Sequence, residues 1–170
     1  YTPFFSTFWN ELIFTLLTVI MLFGLTACSN DGLTAGKLTV TLNGNAVEKP
    51  LTAEKLGEGY TVGNYALKYN GEPVAGVTYT EKTADLEESK RVLRSLVIGA
   101  NSGAENDTLS VNGITLGSKM SEVLDTFGEP SAEEEGMWFY REMGKSEDDN
   151  FLGLRFDEND NVTWLYVRVE

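Results

Sequence analysis

The side chains that most often carry catalysis and metal binding are nearly absent from this 170-residue chain, which has no His and a single Cys, Cys28. Without His, the chain lacks Ser–His and Cys–His nucleophile pairs, imidazole general bases and the usual zinc ligand sets. A lone Cys excludes a disulfide within the chain. A phosphate-cradling glycine loop followed by Lys and Ser or Thr is also missing from the sequence. We therefore expect no catalytic residues and no cofactor.

Carboxylates are the one reactive group in good supply, with 26 Asp and Glu residues. A glycosidase-type hydrolase needs only two of them, so a carboxylate hydrolase remains open as a distant third reading of the residue types. The densest groups, Glu133-Glu134-Glu135 and Glu147-Asp148-Asp149, are consecutive runs in polar surroundings. Such runs are typical of solvated surface, and both are predicted to lie in loops.

A short pattern near the C-terminus has the spacing of calcium ligands. Asp157-x-Asn159-x-Asn161 repeats the opening of an EF-hand loop. That loop has Gly at its sixth position and a bidentate Glu at its twelfth, where this chain has Val162 and Arg168. The same Asp and Asn residues are ordinary turn formers between two strands. We expect no dedicated metal site, with a weak surface calcium site at 157–161 left open.

Aromatic residues alternate with other side chains in two apolar segments near the C-terminus: Trp138, Phe139, Tyr140, Trp164 and Tyr166. Because side chains of a strand point alternately to the two faces of a sheet, Trp138 and Tyr140 share one face, as do Trp164 and Tyr166. Either pair can pack in the core. Either can instead form an exposed strip of the kind that contacts a protein or a glycan. These four residues are the candidate partner-binding site.

The elements that position these aromatics have the clearest pattern in the chain, over residues 110–170. Ser118 is a good helix cap, and the apolar residues after it recur at helical spacing until Gly128 and Pro130 end the pattern. The predicted apolar face consists of Met120, Val123, Leu124 and Phe127. Residues 137–141, 151–156 and 162–169 are predicted as strands, separated by a polar loop at 142–150 and a turn. Residues 110–170 are therefore predicted to form one helix followed by a three-stranded antiparallel meander.

Residues 37–100 are predicted as a β-rich half that precedes a linker at 101–109. Strands are expected at 38–42, 65–69 and 77–80, two of them ending at Asn-Gly turn pairs. Thr52 is expected to cap a short helical turn. Residues 85–98 fit both a helix and a strand, and we favour a helical start with a strand finish.

A faint internal repeat relates the two halves. At a constant offset of 87, residues 67–69 align with 154–156 and residues 78–79 with 165–166. Alternating strands match easily, so the first half is expected either as a divergent copy of the second or as independent β structure.

The charge of the chain is strongly acidic, with a formal net charge of −13. Between Asp125 and Asp160 the sequence has 12 acidic residues against Arg141, Lys145 and Arg155. Such a surface repels phosphate backbones, which argues against nucleic acid as a partner.

The N-terminal 27 residues differ in kind from the remainder. Leu12–Ala27 is a run of 16 uncharged, mostly apolar residues, whereas a membrane-spanning helix needs about 20. The run has the length of the apolar region of a signal peptide. The chain does not begin with Met, and residues 1–11 contain Glu11 but no Lys or Arg, so we expect the true start upstream. An uncleaved membrane helix is the alternative.

The residues that follow this run, Leu25-Thr26-Ala27-Cys28, resemble the lipobox of bacterial lipoprotein signal peptides. The resemblance implies cleavage before Cys28, a lipid on its sulfur, and attachment to the extracytoplasmic face of the cell membrane. One acyl chain binds a membrane only marginally, so two or more give a stable anchor. Residues 28–36 are small and polar and are predicted to form the lipidated Cys and a tether.

The predicted helix region, residues 113–130, and the strand at 137–140 resemble the BamE (SmpA/OmlA)-like superfamily. The matching positions are Gly117, Ser118, Glu122, Val123, Phe127, Gly128, Pro130, Trp138 and Tyr140. The match covers about residues 110–170 and implies an α+β domain. The layout is also similar to small lipoproteins of Gram-positive gut bacteria. Relatives of this fold serve as outer-membrane assembly accessories, as binding modules and as β-lactamase inhibitors.

The sequence therefore favours a membrane-anchored, non-catalytic module that binds an envelope protein or a wall component. The alternative is a ligand-binding or enzyme-inhibitory lipoprotein, which a deep pocket would favour.

Overall fold

Strands account for most of the regular secondary structure, because short alternating segments separated by turn residues fill the sequence after residue 37. A computed structural model describes residues 37–105, 107–141 and 150–169. The described helices are α1 (Ala53–Leu56) and α2 (Met120–Phe127), with 3-10 turns at Glu81–Thr83 and Glu88–Lys90. The strands are β1 (Val40–Leu42), β2 (Asn45–Ala46), β3 (Tyr60–Gly63), β4 (Ala66–Tyr69), β5 (Glu72–Tyr79), β6 (Leu93–Gly99), β7 (Leu109–Val111), β8 (Ala132–Glu134), β9 (Met137–Arg141), β10 (Phe151–Phe156) and β11 (Val162–Arg168).

Eight strands form one antiparallel sheet in the order β3-β4-β5-β6-β11-β10-β9-β8. Strands β3 to β6 form one meander and strands β8 to β11 a second, and the two join where β6 pairs with β11. At this junction Ile98 lies opposite Leu165, and Leu96 lies opposite Val167. The sheet thus includes strands from both sides of the predicted linker, and the described residues belong to one compact unit, Gly32–Glu170.

One face of this sheet carries the core, because alternate residues of its central strands are buried. The buried residues on that face include Leu67, Val77, Leu96, Ile98, Leu152, Leu154, Leu165 and Val167. Burying one such aliphatic side chain contributes about 1.5–3 kcal/mol. This layer therefore fixes the strand register, since a shift by one residue would turn every core side chain to the other face.

Helix α2 packs on the core face at the C-terminal end of the sheet. Val123 and Phe127 are its buried residues, and the Phe127 ring lies 5.0 Å from the Tyr140 ring on β9. The predicted helix is therefore confirmed, with Val123 and Phe127 facing inward, whereas Met120 and Leu124 of the predicted apolar face are only partly buried. The helix fixes one side of β9 as the inside.

The start of α2 differs from the prediction. The Lys119 N–H donates a 2.8 Å hydrogen bond to the Glu122 carboxylate, which satisfies a donor that the first turn leaves free. Ser118 does not cap the helix, because its hydroxyl oxygen accepts the Thr115 N–H at 3.1 Å instead. Gly128, with a φ of 75°, ends the helix as expected.

A second sheet has the order β2-β1-β7. Leu42 on β1 pairs with Leu109 on β7, and both are buried. This pairing holds the start of the described chain to the segment before α2. The short helix α1 follows Thr52, whose hydroxyl oxygen accepts the Lys55 N–H at 3.3 Å, so the predicted cap is confirmed.

The predicted fold class, an α+β domain with a BamE-like three-stranded meander, is wrong. Strands β9, β10 and β11 do form a meander, but β8 and β6 extend it into an eight-stranded sheet. The described part of the chain is mostly β, with one helix longer than a single turn. The physical cause is the second edge of β11. One edge of β11 pairs with β10, and the backbone N–H and C=O groups of the other edge would remain unpaired beside the core if β6 did not pair with them. Strands β2, β3, β7 and β8 were not predicted; β7 begins at the end of the predicted linker, and β8 was assigned to an acidic loop.

The element order also differs from the predicted repeat. In the structure a helix followed by a four-stranded meander occurs twice, first as α1 with β3 to β6 and then as α2 with β8 to β11. Strand β4 therefore corresponds to β9, and β5 corresponds to β10. The offset of 87 aligned β4 with β10 and β5 with β11. The aligned residues are therefore one strand out of step.

Candidate functional site

A row of aromatic side chains crosses β9, β10 and β11 on the face of the sheet opposite α2. The row consists of Phe139, Phe151, Tyr166 and Trp164, all partly exposed, and is called the outer aromatic strip below. Strand alternation places them there, because each is a sequence neighbour of a core residue. Tyr166, for example, lies between Leu165 and Val167, which are fully buried.

The rings of the outer aromatic strip contact one another across all three strands. Phe139 and Phe151 are 6.1 Å apart between centroids, Phe151 and Tyr166 are 5.2 Å apart, and Tyr166 and Trp164 are 5.9 Å apart. The last two pairs are nearly parallel, with interplanar angles of 25° and 16°. Aromatic pairs at such distances contribute about 0.5–1.5 kcal/mol beyond burial, so the strip is held in place by its own contacts.

Gly153 forms the floor at the centre of the strip. It lies opposite Phe139 on β9 and Tyr166 on β11. A Cβ at this position would lie 3.4 Å from the sulfur of Met137 and 3.5 Å from the Trp164 ring. The missing side chain thus lets the neighbouring rings close over the strand and gives the strip a shallow surface.

Arg155 adjoins the Trp164 end of the strip. The guanidinium carbon of Arg155 lies 5.6 Å from the centroid of the Trp164 ring. Arg155 is exposed and makes no ion pair with another residue in the described part of the chain. A cation over an indole ring is attracted by about 0.5–1 kcal/mol at an exposed site. Trp, Tyr and Arg are the residue types that dominate the energetic centres of protein interfaces.

Two of the four predicted site residues lie on the core face. Tyr140 is fully buried, and its hydroxyl donates to the Gly128 carbonyl oxygen at 3.1 Å. Burial raises the pKa of Tyr140 above its ordinary value. Trp138 packs edge-on against Phe156 at 4.9 Å. The structure therefore brings Trp164 and Tyr166 together and places Trp138 and Tyr140 on the opposite side of the sheet.

Phe139 and Phe151 belong to the strip but were absent from the predicted site. Alternation along β9 shows that Phe139 and Trp138 face opposite ways, but it does not show which of them faces Trp164. That depends on the pairing of both strands with β10, where Leu154 lies opposite Trp138 and Leu165. The available signal was Gly153, which adds no side chain to the outer face of β10 and so leaves room for the rings of Phe139 and Trp164 over it.

The candidate calcium residues form a self-contained turn. The Asp157 carboxylate accepts the N–H groups of Asn159 and Asn161 at 2.9 and 2.8 Å, and the Asn161 amide donates to both of its oxygens. The hydrogen bonds from Asn161 hold the pKa of Asp157 below its usual range. The motif therefore forms the kind of turn that Asp and Asn side chains commonly make between two strands. Across the described ranges, no group of three or more acidic, His or Cys side chains is placed to hold a metal.

The remaining predicted positions divide between described and undescribed residues. Cys28 and the acidic run at 147–149 lie outside the described residues. Glu133 and Glu134 are exposed on the edge strand β8, where charged side chains discourage pairing with another sheet. The helices that the structure describes include none long and apolar enough to cross a membrane.

A groove of about 460 Å³ lies beside β1 and β2. Its apolar wall consists of Leu38, Val40, Val47, Leu51 and Val169, with Lys37, Glu48 and Lys49 among its polar residues. Leu38, Val40, Leu51 and Val169 are at most 5% exposed. The wall is thus the outer surface of the core between the two sheets, with few atoms left for a ligand to contact.

No protein-family model, curated protein or solved structure matches this chain. The resemblance of residues 113–130 to BamE-like domains consequently rests on the motif alone. In this structure the motif residues have packing roles, since Val123 and Phe127 are buried and Gly128 ends the helix.

Proposed function

We propose that this protein is an extracytoplasmic lipoprotein, held at the cell membrane by lipid on Cys28, whose β-structure binds a protein of the cell envelope without catalysis. The observation that carries the proposal is the outer aromatic strip with Arg155 at its end. The anchor is inferred from the sequence around Cys28.

A protein partner fits the strip better than a small ligand does. The rings form a row across three strands, with Gly153 beneath its centre. Flat aromatic surfaces of this kind are typical of protein interfaces, in which a central Trp, Tyr or Arg costs about 2 kcal/mol or more when truncated. Such a loss corresponds to a roughly 30-fold weaker complex.

The anchor and the strip act together in this proposal. Eight residues lie between Cys28 and Lys37, where the described structure begins, and an extended chain from one to the other reaches about 30 Å. A lipid-anchored domain on such a tether stays concentrated near the membrane, so a partner in the same membrane meets it at a high effective concentration.

An enzyme-inhibitory role remains a second candidate, because a foreign enzyme is also a protein partner for the same strip. The groove beside β1 has less support as a small-ligand site, since its walls already belong to the core.

Binding by the strip is tested with the full chain purified in detergent. Immobilised protein is exposed to solubilised envelope from the same organism, and bound proteins are quantified by mass spectrometry. The variants are Trp164→Ala and Tyr166→Ala. Tyr69→Ala is the matched control, because Tyr69 is an aromatic residue, 37% exposed, at the other end of the same sheet.

The expected result is a specific envelope protein that is retained by the parent and the control and lost with either strip variant, with unchanged circular dichroism. Retention that is equal in all four proteins would contradict the proposal.

The anchor is tested separately by intact mass spectrometry of the protein recovered from cells. We expect an N-terminus at Cys28 with a diacylglyceryl mass added, and loss of membrane association in Cys28→Ala. An unmodified Cys28 in membrane-bound protein would contradict the anchor and leave the strip untouched.

A further inference from the structure

The turn between β3 and β4 holds an aromatic residue in a conformation that favours glycine. Gly63 pairs with Ala66, so Asn64 and Tyr65 form a two-residue turn with φ values of 51° and 59°. Two-residue hairpin turns with both φ values positive prefer Gly at the second position. Four other turns of the described chain have it there: Asn43-Gly44, Asn70-Gly71, Asn112-Gly113 and Glu135-Gly136.

Packing does not account for Tyr65 in this turn. Its side chain is 72% exposed, and its ring contact is with Tyr79, at 6.1 Å between centroids. A bulky residue in the left-handed region is strained, and such strain is found most often at binding sites and ligand clamps. The position of Tyr65 therefore points to a role in binding.

Tyr65 and Tyr79 line a pocket of about 260 Å³ between this turn and the connection from β5 to β6. The lining residues are Asn64, Tyr65, Tyr79, Ala84, Glu88 and Arg91. The Tyr79 hydroxyl is buried and makes no hydrogen bond of good geometry among the described residues, although the Arg91 side chain lies close enough to it to lower the pKa of Tyr79 against the larger effect of burial. A buried hydroxyl without a partner is unusual and marks a place where a ligand atom can supply the missing bond.

Arg91 and Glu88 carry the two charges of the pocket and are not paired with each other. The Arg91 Nε donates to the Leu86 carbonyl oxygen at 2.9 Å, and its guanidinium carbon lies 5.4 Å from the Tyr79 ring centroid. This leaves the terminal N–H groups of Arg91 for another acceptor. Glu88 lines the same pocket without forming an ion pair to Arg91, whereas its neighbour Glu87 is paired with Lys90 at 2.9 Å.

We propose that this pocket binds a free α-amino acid in its zwitterionic form. Arg91 binds the carboxylate, Glu88 binds the ammonium group, and the side chain of the ligand lies against the rings of Tyr65 and Tyr79. A simple anion would be repelled by Glu88, and a simple cation would be repelled by Arg91. A ligand with both charges satisfies both residues, and the pocket volume fits a molecule below drug size.

The test is isothermal titration of the full chain, in detergent, with each common L- and D-amino acid. Propionate and ethylamine serve as probes that carry one charge each. We expect saturable binding of at least one amino acid and none of either single-charge probe. Arg91→Gln and Glu88→Gln should each weaken binding about tenfold or more.

Two further variants separate a binding role from a structural one. Tyr65→Gly should weaken binding without lowering the melting temperature, because it removes a strained conformation along with the ring. Glu87→Gln, next to the pocket but outside its lining, should bind as the parent does. Absence of saturable binding by every amino acid would overturn the proposal. So would equal binding of propionate, or affinity unchanged in both folded Arg91→Gln and Glu88→Gln proteins.

Discussion

Gly99 lies where the two meanders join, and its replacement by Ala is expected to weaken the fold strongly. Gly99 pairs with Trp164 across the β6–β11 junction and has a φ of 99°. A Cβ on Gly99 would lie 2.2 Å from the Thr163 carbonyl oxygen and 2.8 Å from the Trp164 Cα. Both contacts are with backbone atoms, so no side-chain rotation can relieve them and the strands must separate locally.

The size of the effect follows from two contributions. The left-handed conformation costs an L-residue about 1–2 kcal/mol. Opening the last pair of the junction removes roughly two backbone hydrogen bonds at about 0.5–1.5 kcal/mol each. Together these lower the free energy of unfolding by roughly 3 kcal/mol. Gly103→Ala is the matched control, because Gly103 also has a positive φ, 77°, but its Cβ would meet nothing within 4 Å.

Urea unfolding, followed by circular dichroism, measures the difference. With a denaturant slope of about 2 kcal/mol per molar, Gly99→Ala should lower the midpoint by roughly 1.5 M and Gly103→Ala by roughly half as much. Equal shifts in the two variants, or a loss below about 1 kcal/mol in Gly99→Ala, would show that β6 and β11 do not approach each other in this register.

Three further perturbations test the same structure. The folded-state pKa of Asp157 is depressed below its ordinary 3.8, so its contribution to stability is present above that pH and is lost as the pH falls through the folded value. The melting temperature of Asp157→Asn should therefore lie below that of the parent at pH 7 and converge with it in acid, and a gap independent of pH would contradict this. Tyr140→Phe should lower the free energy of unfolding in urea by about 1 kcal/mol, because the Gly128 carbonyl oxygen loses its hydrogen-bond donor. An unchanged urea midpoint would show that this hydrogen bond does not contribute to stability. Leu165→Ala should lower the free energy of unfolding by about 2–5 kcal/mol, which is more than Tyr166→Ala on the outer face should lower it. A larger loss in Tyr166→Ala would show that the outer aromatic strip belongs to the core.

Local signals in the sequence were enough for the short elements of this fold. Thr52 caps α1 as expected, and Val123 and Phe127 face inward from α2. These predictions succeed because a cap or a helical face depends on residues only a few positions apart. The boundary residue Lys119 was missed because the Glu122 carboxylate, three residues later, satisfies the helix start in place of Ser118.

The architecture of the sheet could not be obtained in the same way. The pairing of Ile98 with Leu165 joins residues far apart in the sequence, and an alternating strand gives no indication of which distant strand it will join. The same uncertainty affected the site. Alternation correctly separated Trp138 from Phe139, but only the register through β10 decides that Phe139 shares the face of Trp164. The pocket beside Tyr65 was also missed, because β3 itself was not predicted and Asn64-Tyr65 lacks the usual Gly of a hairpin turn.

Photo-crosslinking in intact cells tests the proposed partner surface most directly. A photoreactive phenylalanine analogue replaces Tyr166 in the full chain, and the same analogue replaces Tyr69 in a control. The account predicts a crosslink from position 166 to one envelope protein, absent from position 69 and lost when Trp164→Ala is added. The same crosslinks from both positions, or none from position 166 in correctly anchored protein, would contradict the assignment of the outer aromatic strip as the binding surface.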